Sequence, residues 1–427
     1  MDRDRTRPNL DRAPLWREMA AAAGLIGSDG AIAETIYGQM TALATATGAV
    51  NLGQGAPGTD APPELIAATT AAMDEGINQY APGQGHPVLR EAVAAQRARD
   101  FGQAVDPADV LITCGATEGL TAAVLALVPR GGRVVTFEPF YDGYPAAVAA
   151  AGGVLSTVPI LPDGTGGFHP DWEEFDRVMT SAPPVSLIIV NTPHNPTGFV
   201  FSADDLARIG DAATAADAWV LTDEVYEELI LAPSDHVPPA VAVSDPARVV
   251  TVSSAGKSWN ITGWKLGWVI AERPVREAIQ AVKQFLTFTG GGPMQIGLAR
   301  VLESGSGFTA VNRESLRARA EVLVPACASV PGAAVSIPAA GYFTVVDFAA
   351  LTELDAFALN ELLAREHGVV GIPVPALCRP GSTAAQTYRS AIRYSFCKSP
   401  TDVDEGARRI ALLAEALRTD PDLLRRR

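Results

Sequence analysis

Two lysines stand eight positions apart in SSAGKSWNITGWKLGW, residues 253–268, and the first lies in the triplet Gly256-Lys257-Ser258. A buried lysine amine can attack a carbonyl carbon or carry a proton. The same triplet also ends a nucleotide-binding P-loop, which needs another glycine about five positions before the Gly-Lys pair. Thr251 stands there, inside the apolar run RVVTV, so the P-loop reading fails and Lys257 needs another chemistry. Other reactive or ligand-binding types follow further apolar runs. Gly115-Ala116-Thr117 comes after VLIT, Tyr141 after RVVTF, Asn195 after SLIIV, Asp223 and Tyr226 after WVLT, and Ser254 with Lys257 after RVVTV.

These runs read as the strands that position the residues. VLIT (110–113), RVVTF (133–137), VLSTVPI (154–160), SLIIV (186–190), WVLT (219–222), RVVTV (248–252) and LGWVI (266–270) are continuous Val/Ile/Leu stretches, the pattern of strands buried on both faces. Helix-length segments such as 117–129, 202–216 and 273–286 separate them, and Ser202 followed by Asp204 and Asp205 marks a helix start. Alternation of this kind predicts an α/β fold with a mostly parallel, seven-stranded sheet covered on both sides. After about residue 297 the pattern changes to a smaller α+β unit: helix 311–328, AAVSIP, YFTVVDF, helix 354–367, a Pro-rich turn at 373–380, a strand at 390–397 and helix 401–418. The expected division is an N-terminal extension and arm (1–50) packing with the small unit, a large domain (51–297) and a small domain (298–427).

In open parallel sheets ligands sit beyond the carboxyl ends of the strands. Singly, each residue named above has an ordinary explanation as a cap, a turn or a solvated charge. Together they match the needs of one cofactor, pyridoxal 5′-phosphate. Its aldehyde condenses with an amine such as Lys257, and its ring works as an electron sink when a carboxylate such as Asp223 keeps the ring nitrogen protonated. Asn195 and Tyr226 can donate to the ring oxygen, and Tyr141 can cover the ring face. The phosphate suits the backbone N–H groups of Gly115-Ala116-Thr117 at a helix start, with Ser254 and Lys265 adding a hydroxyl and a cation.

The motifs resemble the fold-type I, pyridoxal-phosphate-dependent aminotransferases (class I/II, the aspartate aminotransferase superfamily). Within them the chain is similar to the kynurenine/glutamine branch and to actinobacterial N-succinyldiaminopimelate aminotransferases. The segments that carry this are NLGQGAP (51–57), NQYAPGQG (78–85), EPFYDGY (138–144), NTPHNPTG (191–198), TDEVYE (222–227), SSAGKSWNITGWKLGW (253–268) and IRYSFCK (392–398). The resemblance implies transfer of an amino group from an L-amino acid to a 2-oxo acid by ping-pong turnover, through an imine on Lys257. It implies Asp223 as the ring-nitrogen partner, Asn195 and Tyr226 as ligands of the ring oxygen, Tyr141 as the stacking aromatic, and Ala116, Thr117, Ser254 and Lys265 as the phosphate cradle. It further implies Arg393 as the clamp on the substrate α-carboxylate, Gly55 as a backbone contact to substrate, and a homodimer in which Tyr80 reaches the neighbouring subunit's cofactor. Three features depart from the pattern: Tyr37 stands where the kynurenine enzymes place a tryptophan against the substrate side chain, residues 1 to about 30 have no counterpart, and Pro375-Ala376 replaces a frequent serine. Two other outcomes stay open on the same residues: β- or γ-elimination or an oxidase-like reaction, and a catalytically silent cofactor-binding sensor.

Composition narrows the remaining classes. The 427 residues carry a formal net charge of −15, which disfavours nucleic acid and anionic membranes as partners. The start, MDRDRTRPNLDRAP, has charge where a secretion signal has its apolar core, so a cytoplasmic protein is expected. Four cysteines without paired spacing and five scattered histidines give no zinc pattern, so no metal is expected. Gly53-Gln54-Gly55-Ala56-Pro57-Gly58 fits the dinucleotide pattern GxGxxG, but Pro57 and the prolines at 62 and 63 keep it from opening a helix at a pyrophosphate.

Overall fold

The computed structural model describes residues 14–27, 29–232 and 236–425, so the first 13 residues of the expected extension lie outside the described residues. All seven expected strands form, and a short edge strand, Phe168–Pro170, makes the large sheet eight-stranded. In spatial order the sheet runs Val110–Cys114, Leu266–Ile270, Val249–Ser254, Trp219–Asp223, Val185–Asn191, Arg133–Glu138, Val154–Pro162 and Phe168–Pro170. The five strands from Val249–Ser254 to Val154–Pro162 pair in parallel, whereas Leu266–Ile270 is antiparallel to both its neighbours.

The continuous apolar runs are explained by burial on two sides. Val134, Leu187, Ile189 and Leu221 face a core shared with helices Gly115–Leu127, Gly143–Ala150 and Arg273–Lys283. Their chain neighbours Val135, Ile188, Val190 and Val220 point the other way, into a core with Trp172–Thr180 and Ala203–Ala215. Alternate residues of one strand thus serve opposite layers. The helix start expected at Ser202 is a capping box: the Ser202 hydroxyl accepts from the Asp205 N–H, and the Asp205 carboxylate accepts from the Ser202 N–H.

A second, antiparallel sheet of four strands follows, in the order Ala334–Val335, Phe343–Asp347, Ala391–Ser395 and Ile372–Pro373. Helices Phe308–Ala328 and Pro400–Thr419 pack together over it, sharing one apolar core. The helix expected over 354–367 is Ala356–Leu362, continued by a π-helical turn, Leu363–His367. The N-terminal segment divides. Ile36–Thr47 packs against strands of the C-terminal part, but Pro14–Ala22, expected to do the same, lies on Gly143–Ala150 of the large sheet's layer. Among the described residues no helix is long and apolar enough to cross a membrane.

Directly behind the Trp219–Asp223 strand end lies a buried ionic cluster. The Arg97 guanidinium donates to Glu224 at 2.9 Å and to Glu227, while His236 Nε2 lies 3.1 Å from Glu224. Burial pushes Glu224 up, but Arg97 and then His236 pull it well below the usual carboxylate range; for Glu227 burial wins over Arg97 and the pKa rises. Glu224, Glu227 and His236 are the one group of metal-ligand types among the described residues, and Arg97 already supplies their cation. Removing one member of a buried ion cluster strands the others. Arg97→Met is therefore expected to lower stability by about 3–5 kcal/mol, read from urea unfolding at neutral pH; an unchanged midpoint would show that the guanidinium is not the needed counter-charge.

Candidate active site

The carboxyl ends of the large sheet's parallel strands and the second sheet enclose one cavity of about 360 Å³. Gly115, Ala116, Thr117, Tyr141, Asn195, Asp223, Tyr226, Ser254, Lys257 and Lys265 all line it, with Gly55, Tyr37 and Arg393 from the residues expected around a substrate. Tyr80 does not: it is 85% exposed and its ring meets only Phe288 edge-on, 5.6 Å between centroids.

Lys257 sits on a one-turn helix, Ala255–Ser258, that follows directly from its strand. Among the described residues its Nζ has one hydrogen-bond partner, the Gly55 carbonyl oxygen at 3.4 Å. Burial lowers its pKa and Arg393 and Lys265 add to this, against the pull of Cys397 and Asp223. A Cβ at Gly55 would stand 2.8 Å from the tip of the Phe343 ring, which would then have to shift; the Gly55 carbonyl also accepts from the Tyr342 hydroxyl at 2.8 Å.

Asp223 ends the Trp219–Asp223 strand and is 5% exposed. Burial raises its pKa to about 6, although the Tyr144 hydroxyl donates to Oδ2 at 2.6 Å and the Val225 N–H approaches Oδ1 at 3.4 Å. Asn191, at the end of the neighbouring strand, donates through Nδ2 to the Asp223 carbonyl and accepts through Oδ1 from the Asn195 N–H. That pair of bonds holds the Asn195 turn against Asp223. Tyr226 is buried with its ring edge-on to Tyr342 and Phe343, and burial pushes its phenol well above the ordinary range.

On the opposite wall Gly115 takes φ +73° and opens helix Gly115–Leu127, so the free N–H groups of the first turn face the cavity. Lys265 lies 3.2 Å, measured at Cε, from where a Gly115 Cβ would be, and itself holds a left-handed backbone at φ 55°. Lys265 and the helix start thus stand together, and Ser254 lines the same cavity, an arrangement whose charge and dipole would favour an anion.

Arg393 comes from the second sheet, in the strand Ala391–Ser395, and is 1% exposed. It donates to Asn195 Oδ1 at 2.9 Å and to the Gly53 carbonyl at 2.6 Å, and its guanidinium carbon lies 4.0 Å from the Phe343 ring centre and 5.8 Å from that of Tyr37. Among the described residues its Nε has no hydrogen-bond partner, an unusual state for a buried donor.

Sequence reasoning missed Asn191, Tyr144, Gln54, Thr262, Tyr342 and Phe343, which either line the cavity or bond its residues. Asn191 and Tyr144 stand inside NTPHNPTG and EPFYDGY, so the signal was present; Tyr342 and Phe343 lie on an ordinary apolar strand that carries none.

The family model for aminotransferase class I and II matches residues 47–410. The chain is 42% identical to the probable N-succinyldiaminopimelate aminotransferase of Mycobacterium tuberculosis, over 90% of this chain and 97% of that one. It is 35% identical to the methionine aminotransferase of Escherichia coli, over 89% and 96% of the two chains. The solved structure of N-succinyldiaminopimelate aminotransferase from Mycobacterium tuberculosis superposes with a TM-score of 0.84 at 42% identity, covering 89% of this chain and 97% of that chain. With its α/β fold and these relatives, the chain belongs to the class I and II aminotransferases of fold type I, enzymes of amino-group transfer.

Proposed function

We propose that this cavity moves an amino group from an L-amino acid to a 2-oxo acid, with pyridoxal 5′-phosphate held on Lys257. The observation that carries the reading is the meeting, in one buried cavity, of a lysine at a helical turn, a buried carboxylate held by a tyrosine hydroxyl, a second lysine beside a helix start and an arginine whose Nε is left without a partner among the described residues. The donor set fits the cofactor. Ala116, Thr117, Ser254 and Lys265 would hold the phosphate, Asp223 the ring nitrogen and Asn195 with Tyr226 the ring oxygen, with Tyr141 against the ring face. When bound, the cofactor supplies an aldehyde that condenses with amines and a ring that accepts the electron pair left when a proton departs.

The chain's own residues supply the rest. Arg393 binds the substrate α-carboxylate, oriented by Asn195 Oδ1 and the Gly53 carbonyl. Lys257 Nζ takes the proton from the substrate α-carbon and holds it for return. A base must be neutral to do so, and the downward shift of its pKa increases the neutral fraction near neutral pH. Tyr144 keeps the Asp223 carboxylate aimed at the cavity. Tyr37 borders the side of the substrate that differs between amino acids. The chain acts as a cytoplasmic homodimer in this reading, with the exposed Tyr80 reaching the neighbouring subunit's site. Its units are a large domain (51–297), a small domain (298–427) and an N-terminal arm (1–50).

The decisive experiment loads the purified protein with pyridoxal phosphate and follows its visible absorption as amino acids are added one at a time. The panel includes methionine, kynurenine and N-succinyldiaminopimelate, the compounds named in its relatives. Bleaching by at least one donor, with a 2-oxo acid formed, supports the reading; ammonia release without any amino product from pyruvate would point to elimination instead. Lys257→Ala is expected to abolish transfer while the protein stays folded, and borohydride should tag the wild-type side chain but not the variant. Arg393→Lys keeps the charge but loses the planar fork, so kcat/KM for every donor should fall by about 10–100-fold; a fall confined to one donor would contradict a role at the shared carboxylate.

A further inference from the structure

Glu138 is a buried carboxylate that the mechanism above does not use. It closes the strand Arg133–Glu138, is 1% exposed, and stands three residues before Tyr141. Its Oε1 accepts from the backbone N–H of Arg379 and from the Ser382 hydroxyl at 2.7 Å, both in the loop that follows strand Ile372–Pro373 of the second sheet. Two residues on, the Phe140 N–H donates to the Leu377 carbonyl at 2.8 Å. Ile372, at the head of the same loop, pairs directly with Arg393. One path from the large sheet to Arg393 therefore runs through one carboxylate and one backbone bond, beside the direct bond of Arg393 to Asn195 and that of the Tyr388 hydroxyl to the Ile160 carbonyl.

We infer that Glu138 is a positioning residue that latches the 377–382 loop to the Tyr141 strand end, and so sets Arg393 at the right distance for the substrate carboxylate. The inference rests on the assignment of Arg393 to that carboxylate. A lone buried carboxylate is costly unless its oxygens are hydrogen-bonded, and here the bonds come from the other sheet's loop and from Thr157 on the adjacent strand. Burial raises its pKa, and Ser382, Thr157 and the Arg379 N–H oppose the rise. Glu138 and its partners Thr157, Arg379 and Ser382 do not line the cavity, so the latch acts on geometry and not on the reacting atoms.

The test combines hydrogen–deuterium exchange with steady-state kinetics on the full chain. In Glu138→Ala the Arg379 N–H loses its acceptor, and amides of residues 377–382 should exchange about tenfold faster, with or without cofactor. KM for the amino donor should rise about tenfold while kcat changes by less than about threefold, and the visible band of the loaded enzyme should persist. Glu138→Gln keeps an acceptor oxygen and should restore both exchange and KM. Should Glu138→Ala not fold, Ser382→Ala removes one donor to Glu138 together with the cap of the Ala385 N–H, so its readout is the Arg379 amide ahead of that helix, which should exchange faster by a smaller factor. Unchanged exchange at 377–382 in whichever of these variants folds overturns the latch, as does a fall in cofactor affinity that tracks KM. Failure of the unaltered chain to take up the cofactor would instead overturn the reading of the site, and the exchange measurement would still decide the role of Glu138.

Discussion

Burying the Asp223 carboxylate at the end of a central strand is the constraint that the rest of the site answers to. Both faces of that strand are covered, so water cannot solvate the charge and the protein must. Tyr144, the Val225 N–H and, at longer range, Lys257 supply part of this, yet burial outweighs them and the pKa still rises to about 6. Its chain neighbour Glu224 shows the opposite result. It is as deeply buried, but Arg97 and His236 touch it, and its pKa falls. Two consecutive carboxylates thus shift in opposite directions: Glu224 is hydrogen-bonded to a guanidinium within the ion cluster, whereas Asp223 has a phenol as its close side-chain partner.

That division depends on strand geometry. Successive side chains of an extended chain point to opposite sides, so Asp223 can face the cavity only if Glu224 faces away from it, into the layer where Arg97 waits on helix Pro87–Phe101. Parallel pairing then sets the neighbouring strand end alongside: Asn191 stands in register with Asp223 and bonds its carbonyl. Asn195 is carried on the turn that Asn191 holds, and Arg393 bonds Asn195 from the second sheet. Residues about two hundred positions apart are ordered by a short chain of hydrogen bonds that starts at one register pair.

Much of this was legible in the chain. The strands announced themselves because burial on both faces demands unbroken apolar runs, and the Ser202 start because a capping box is a local signal. Phe168–Pro170 was not legible, being too short and proline-bounded to show a period. The packing of Pro14–Ala22 on Gly143–Ala150 depends on a surface set by distant residues, which local pattern does not encode. In the site, residues that follow strands directly could be read off. Tyr144 stands inside the motif EPFYDGY, but the motif does not spell out that its hydroxyl meets an oxygen 79 positions away. Tyr342 and Phe343 stand in no such motif, and their contacts with the site come from tertiary packing alone.

The two lysines show why spacing by itself was ambiguous. Gly256-Lys257-Ser258 has the composition of a phosphate loop, but it occupies a single helical turn after a strand, and its Nζ approaches a carbonyl oxygen. Lys265 is the lysine beside the helix start at Gly115, reached because the chain turns through Thr262–Trp264 and adopts a left-handed backbone at residue 265. Such a conformation costs energy for a side chain with a Cβ and is kept where the surroundings hold it in place. Here the turn is followed at once by the Leu266–Ile270 strand, which is paired on both edges, so the backbone has little freedom to relax. The antiparallel strand in an otherwise parallel neighbourhood therefore has a use: it starts at the carboxyl ends of its neighbours, so Lys265, immediately before it, is held in the cavity that Lys257 also lines.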